Sequence, residues 1–116
     1  MLEELFRLDN KVVVITGANG LLGRKHAEVV ASFGGTPILL DLSQQAVDIF
    51  ASELNAKYRV NAVGFSINIT DEKAIEHNVQ QLIERFGKID GLVNNAANNP
   101  KVEDSKKLNF SRLENF

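Results

Sequence analysis

The sequence predicts a doubly wound α/β fold, a parallel sheet with strand order 3-2-1-4, and three observations predict it. Four short apolar runs, at residues 12–16, 37–41, 61–67 and 91–94, alternate with three segments of helical character. Val12 to Ile15 is apolar without a break, the pattern of a strand covered on both faces, which a parallel sheet provides. A glycine-rich stretch stands where the first strand hands over to the first helix.

The elements follow in order. Residues 1–10 carry Glu3, Glu4, Arg7 and Asp9 and lack the apolar stretch of a signal peptide. After the first strand, Val12 to Thr16, comes a helix with Leu21, Leu22, Ala27, Val29, Val30 and Phe33 as its apolar side. It stops at Gly34 and Gly35, where left-handed backbone costs little. The second strand, Pro37 to Asp41, leads to Ser43, the expected N-cap of a helix with Ala46, Val47, Phe50, Ala51 and Leu54 near helical spacing. Beyond the third strand Thr70 is the expected cap, with Asp71 and Glu72 at the positive end of the next helix. That helix is expected to bury Ala74, Ile75, Val79, Leu82, Ile83 and Phe86 and to close at Gly87. Right-handed crossovers then join the strands.

After the fourth strand, Gly91 to Asn94, the segment Asn95 to Asn109 is polar, and Asn99-Pro100 signals a turn. Ser111 with Glu114 forms a capping box that opens another helix. Only one turn of it precedes Phe116, too little to support itself, so the sequence reads as the truncated N-terminal portion of a longer chain.

The 116 residues suffice for one compact domain, read here as residues 1–116. With 44% hydrophobic and 24% charged residues the composition is that of a globular chain. A net charge of −2 with scattered Lys and Arg offers no field for nucleic acid. No apolar run approaches the roughly 18 residues of a membrane span, so neither nucleic acid nor membrane is expected as partner and a cytoplasmic location is. The absence of cysteine excludes disulfides, thiolate nucleophiles and Cys-ligated metals. His26 and His77 lack a second ligand at metal spacing, and Ser105 and Ser111 lack a paired base, so no metal site or nucleophile is expected. Lys101, Lys106 and Lys107 read as a solvated loop or as a lure for an acidic substrate, and Arg24 and Lys25 are expected to face solvent.

The run Thr16-Gly17-Ala18-Asn19-Gly20-Leu21-Leu22-Gly23 carries the most specific chemistry. Gly17 permits a sharp turn out of the strand, Gly20 lets amides approach a pyrophosphate, and Gly23 lets the helix pack closely on the sheet. Phosphates at that helix start would meet unpaired amides and the positive dipole end. Asp41 closes the second strand at the distance beyond Gly23 where an acid reaches the ribose hydroxyls of NAD and repels the extra phosphate of NADP. Neither Leu42 nor Ser43 is basic, so NAD is favoured over NADP; Asp41 could otherwise merely begin the turn before Ser43.

With Val93-Asn94-Asn95-Ala96-Ala97 placed after the fourth strand, these motifs make the chain similar to the short-chain dehydrogenase/reductase family over nearly its whole length. The resemblance implies a Rossmann-like fold and NAD-dependent hydride transfer to or from a hydroxyl or carbonyl carbon of a small alcohol, ketone or sugar. It implies that Gly17, Asn19, Gly20, Leu22, Gly23, Asp41, Asn68, Ile69, Asn95 and Ala96 bind the cofactor. Leu21 departs from the usual glycine and is similar to the extended branch of nucleotide-sugar epimerases and dehydratases, whereas Asn94-Asn95 belongs to the standard branch. Asn68 stands where the family carries an Asp that holds the adenine amino group; its carbonyl oxygen can accept the same bond, or Asn68 simply begins the turn before Thr70.

The family's catalytic Tyr, and the Lys four residues after it, fall downstream of these residues. Tyr58, the only tyrosine, has Ala62 at the Lys position and reads as structural. By the same resemblance the helix at Ser111 would bring the catalytic Asn, and neither Asn109 nor Asn115 substitutes for it. The expectation is a cofactor-binding segment that is itself inactive, with a stand-alone binding module or an extended-branch fragment as the alternatives. The motif wording is also similar to members that modify flagellin and surface sugars. A homo-oligomer is expected, and apolar surface among Val12 to Ile15, Leu92 and Val93 is expected to lose its cover and drive self-association.

Overall fold

The computed structural model describes residues 2–96. A one-turn helix α1 (Leu2–Leu5) precedes β1 (Val12–Thr16), α2 (Leu21–Ser32), β2 (Thr36–Asp41), α3 (Gln44–Tyr58), β3 (Val63–Ser66), α4 (Glu72–Phe86) and β4 (Gly91–Asn94). The strands form one parallel sheet in the order β3-β2-β1-β4, as the sequence predicts. The Asn99-Pro100 turn, the lysines after it and the Ser111 capping box lie outside the described residues.

The unbroken run in β1 has its cause in the two layers. Ile15 and Leu39 point to one face and pack with Ala27, Val30, Val47 and Phe50 of α2 and α3. Val12, Val14, Ile38 and Leu40 point to the other and meet Leu82 of α4. A strand buried on both sides has no polar position to alternate with.

Ser43 caps α3 as expected, accepting from the Ala46 amide at 3.2 Å. The cap of α4 is Asp71, not Thr70: its carboxylate accepts from the Ala74 amide at 3.1 Å. The Thr70 hydroxyl donates instead to Asn68 Oδ1 at 2.7 Å, and a carboxylate is the better acceptor at a positive helix end. Strand β3 is shorter than the apolar run predicts. Both backbone groups of Ala62 pair with the Asn55 side chain, at 2.6 and 2.9 Å, and the ladder starts one residue later.

The apolar stripes are narrower than expected. Leu21, Leu22 and Val29 of α2 are exposed, as are Val79 and Ile83 of α4. One residue advances a helix by about 100°, so a helix that buries Asn78 and Leu82 against the sheet turns Val79 and Ile83 aside. Between α4 and the β1–β4 side of the sheet lies a groove of about 450 Å³, lined by Val14, Ile75, Val79, Leu82 and Leu92. Asn78 is buried in its wall, and its Nδ2 has no hydrogen-bond partner among the described residues.

Asp90 fastens the amino ends of β1 and β4. Its carboxylate accepts from the Val12 amide at 2.8 Å, its own amide donates to the Val12 carbonyl at 2.8 Å, and Lys88 approaches to 3.2 Å. The Val12 hydrogen bond, with Lys88 and Lys11 nearby, holds the Asp90 carboxyl below its ordinary pKa against a smaller desolvation effect. A depressed carboxylate contributes stability above its unfolded pKa and loses it as pH falls through the folded value. Asp90→Asn is therefore expected to be less stable than the parent in urea at pH 7. The gap should close as the pH is lowered below about 4.

Candidate functional site

Because every strand is parallel, Thr16, Asp41, Ser66 and Asn94 end at the same edge of the sheet. The glycine turn crosses that edge. Gly17 adopts φ +62°, a left-handed conformation, and its carbonyl accepts from the Gly20 amide at 3.0 Å. Gly20 is the N-cap of α2 and offers no side chain to the first turn, which also lacks an acid. The leading amides of a helix have no partner within it, so this end presents donors and the positive dipole to an anion.

Gly23 is fixed by contact. A Cβ there would overlap the Gly17 carbonyl oxygen and lie 2.8 Å from Gly17 C and 2.9 Å from Ala18 Cα. At Gly20 such an atom would meet, among the described residues, the Gly17 oxygen alone, at 3.3 Å. The first glycine is also hemmed in, since a Cβ at Gly17 would stand 3.1 Å from the Ala96 backbone.

The end of β4 is tied to the turn through Thr16. This buried hydroxyl donates to Asn94 Oδ1 at 3.2 Å and accepts from the Ala96 amide at 2.9 Å. Asn95 Nδ2 donates to the Gly17 carbonyl at 3.3 Å. Thr16 is not among the expected binding residues, although it opens the glycine motif and closes the first strand as Asn94 closes the fourth.

Asp41 sits at the rim with both oxygens engaged. Oδ2 accepts from the Asn19 amide at 2.8 Å and Oδ1 from the Leu42 amide at 2.7 Å. Arg24 does not simply face solvent: Nη1 donates to Asn19 Oδ1 at 3.1 Å and Nη2 lies 3.2 Å from Glu53 Oε2. Its guanidinium also stacks 4.0 Å from the centre of the Phe50 ring. Glu53 and Phe50 come from a different helix, and no local sequence signal announces them.

A cleft of about 220 Å³ brings together Gly17, Asp41, Asn68, Ile69 and Ala96. Asn19 and Asn95 brace its walls, and Leu22 is exposed on α2. Asn68 does begin the turn: Oδ1 accepts from both the amide and the hydroxyl of Thr70, at 3.0 and 2.7 Å, which occupies the two lone pairs of that oxygen. Tyr58 packs against the α2–α3 core, as a structural residue does.

Residues 11–115 match the protein family described as short chain dehydrogenase. Over 90 residues the chain is 41% identical to the meso-2,3-butanediol dehydrogenase of Serratia marcescens, covering 78% of this chain and 35% of that enzyme. Among solved structures it is similar to an oxidoreductase of Haemophilus influenza named for D-mannonate, with NAD bound: TM-score 0.76, 31% identity, 86% of this chain and 35% of that one. L-sorbose reductase of Gluconobacter frateurii, complexed with NADPH and L-sorbose, is likewise similar: TM-score 0.75, 26% identity, 84% of this chain and 38% of that one. The chain thus spans little more than a third of the length of these proteins.

The two glycines separate in a stability measurement. Gly23→Ala drives a methyl into fixed backbone, and a loss of about 2 kcal/mol or more is expected in urea denaturation. Gly20→Ala, with its extended N-cap backbone and a single close contact at 3.3 Å to the Gly17 oxygen, is expected to cost less, about 1 kcal/mol or below. Equal losses would show that the close approach of helix to turn is not what constrains position 23.

Proposed function

The chain belongs to the short-chain dehydrogenase family, and from that premise we propose that it binds NAD at the glycine turn, as part of an oxidoreductase acting on a small alcohol, ketone or sugar. When bound, the nicotinamide dinucleotide supplies the hydride acceptor or donor. This chain's own residues bind and orient it. The uncapped start of α2 receives the pyrophosphate, with Gly20 and Leu22 at that end. The cleft between Asp41, Asn68 and Ile69 takes the adenosine half, and Asn95 and Ala96 close the wall toward β4.

The observation that carries the reading is the Asp41 carboxylate, fixed at the rim by two backbone amides. An acid held there accepts from ribose hydroxyls and repels a 2′-phosphate. The similar structures hold NAD in one case and NADPH in the other, so the preference for NAD rests on Asp41 and on the uncharged Leu42 and Ser43 beside it. The names of the relatives, for butanediol, D-mannonate and sorbose, support a substrate with hydroxyl-bearing carbons. With Tyr58 in the packing of the core, the 116 residues are proposed to bind cofactor without turning over substrate.

Self-association is part of the same proposal. Leu92, 64% exposed, stands with exposed Val79 at one groove, and Ile83 lies one turn along α4. Sedimentation velocity at rising protein concentration is expected to show dimers or larger species. A clean monomer throughout would remove this part.

Titration with NAD and NADP tests the cofactor claim. NAD is expected to bind about tenfold more tightly, a difference of about 1.4 kcal/mol, and Asp41→Ala should abolish most of that preference. Equal affinities in the parent chain, or a preference that survives Asp41→Ala, would overturn it.

A further inference from the structure

Arg24 lies in the first turn and a half of α2, where helix stability gives no reason for a cation: the positive end of the dipole opposes it. It is nevertheless held from two directions. One side of the guanidinium donates to the Asn19 side chain, and the other pairs with Glu53 while the plane rests on the Phe50 ring. Glu53 and Phe50 are three positions apart on α3 and so present one face to α2. Phe50 is buried in the core, so the ring beneath the guanidinium is itself immobilised. An exposed ion pair alone contributes little. A planar fork whose donors leave at fixed angles, seated on a fixed ring, does determine where Nη1 points.

Asn19 has two ends. Its side-chain oxygen takes the Arg24 hydrogen bond and its backbone amide donates to Asp41 Oδ2 at 2.8 Å. It is otherwise an exposed turn residue beside Gly20. Anchoring its side chain removes much of the freedom by which its amide could swing away from the acid.

We propose that Arg24 is a positioning residue for cofactor choice: by holding the Asn19 side chain it keeps the Asn19 amide on Asp41, and so keeps the carboxylate where it reads the ribose. Helix α3 then takes part in discrimination, through Glu53 and Phe50, without touching the cofactor. The inference rests on dinucleotide binding at the glycine turn, and its test is built to fail separately from that reading.

The first measurement needs no ligand. Amide hydrogen exchange at Asn19 is followed in the 116-residue protein, in Arg24→Met, which keeps a stem on Phe50 but loses the donors, and in Arg24→Lys. The methionine variant is expected to exchange at Asn19 about tenfold faster while its melting temperature moves by less than about 4 °C. Lysine, which retains one donor for Asn19, should recover part of the protection. Unchanged exchange at Asn19 in Arg24→Met overturns the proposal. The second measurement is the ratio of the NADP and NAD dissociation constants for the parent, Arg24→Met, Asn19→Ala and the double variant. Each single change is expected to lower the ratio about threefold or more, and the double change no further, because the two residues act in series. Additive losses would mean that Arg24 and Asn19 act independently, and a ratio that rises in Arg24→Met would mean that Arg24 acts on the cofactor by its charge; either outcome would equally overturn the proposal. A parent chain that binds neither dinucleotide sinks the proposed function instead, and the exchange measurement still decides the role of Arg24.

Discussion

The carbonyl oxygen of Gly17 is where three elements meet. It accepts from the Gly20 amide, which closes the turn, and from Asn95 Nδ2, which ties in the end of β4. It also occupies the space a side chain at Gly23 would need, so α2 can approach the sheet only because residue 23 has none. Turn shape, helix distance and the closure of β4 onto β1 are therefore one constraint. The Thr16 hydroxyl reinforces it from the neighbouring residue, joining Asn94 and Ala96. An accommodating shift of that oxygen, whatever its cause, would alter all three relations together.

That constraint creates a site with two opposite electrostatic ends. Helices α3 and α4 have side-chain caps, from Ser43 and Asp71, and α4 also carries Glu72 in its first turn. Helix α2 begins on a glycine with no acid in its first turn. Its positive end therefore remains available to a phosphate. A short way along the rim stands Asp41, a negative group whose two oxygens are each held by a backbone amide. One end of the crevice offers a positive field and the other a fixed carboxylate, and the proposed preference for NAD rests on this contrast.

Most of this was legible in the sequence where a residue's environment is set by its neighbours in the chain. The continuous Val12 to Ile15 run specified burial on both faces, and the glycine turn specified a strand end feeding a helix. Ser43 was recognisable as a cap because a hydroxyl before an apolar periodicity has few other uses. Thr70 and Asp71 were harder, since both can cap and only the diversion of the Thr70 hydroxyl to Asn68 decides between them. The apolar positions of α4 overstated its buried face, because composition records which residues could be buried and not how much of the helix the sheet can cover. Arg24 was illegible for another reason: Glu53 and Phe50 are brought to it only by the packing of α3 beside α2. The expected binding residues converge unevenly. Five of them line one cleft, whereas Leu22 is exposed at the helix start.

The position of Asp41 depends finally on register. Thr16 of β1 stands opposite Leu40 of β2, and Asp41 is the next residue, opposite Ser66 of β3. Alternation sends Leu40 to the α4 side, with Ile38, and Leu39 to the side of α2 and α3. Asp41 follows the parity of Leu39 and emerges on the face the glycine turn crosses, where the Asn19 amide meets it. A slip of one residue would exchange the faces, placing a leucine at the turn and the carboxylate over the apolar groove. Ile38 and Leu40 are buried in the α4 layer and Leu39 in the layer of α2 and α3, so such a slip would drive each into the packing of the opposite layer. The place of the carboxylate at the rim is thus set by the packing of three aliphatic side chains in the two core layers.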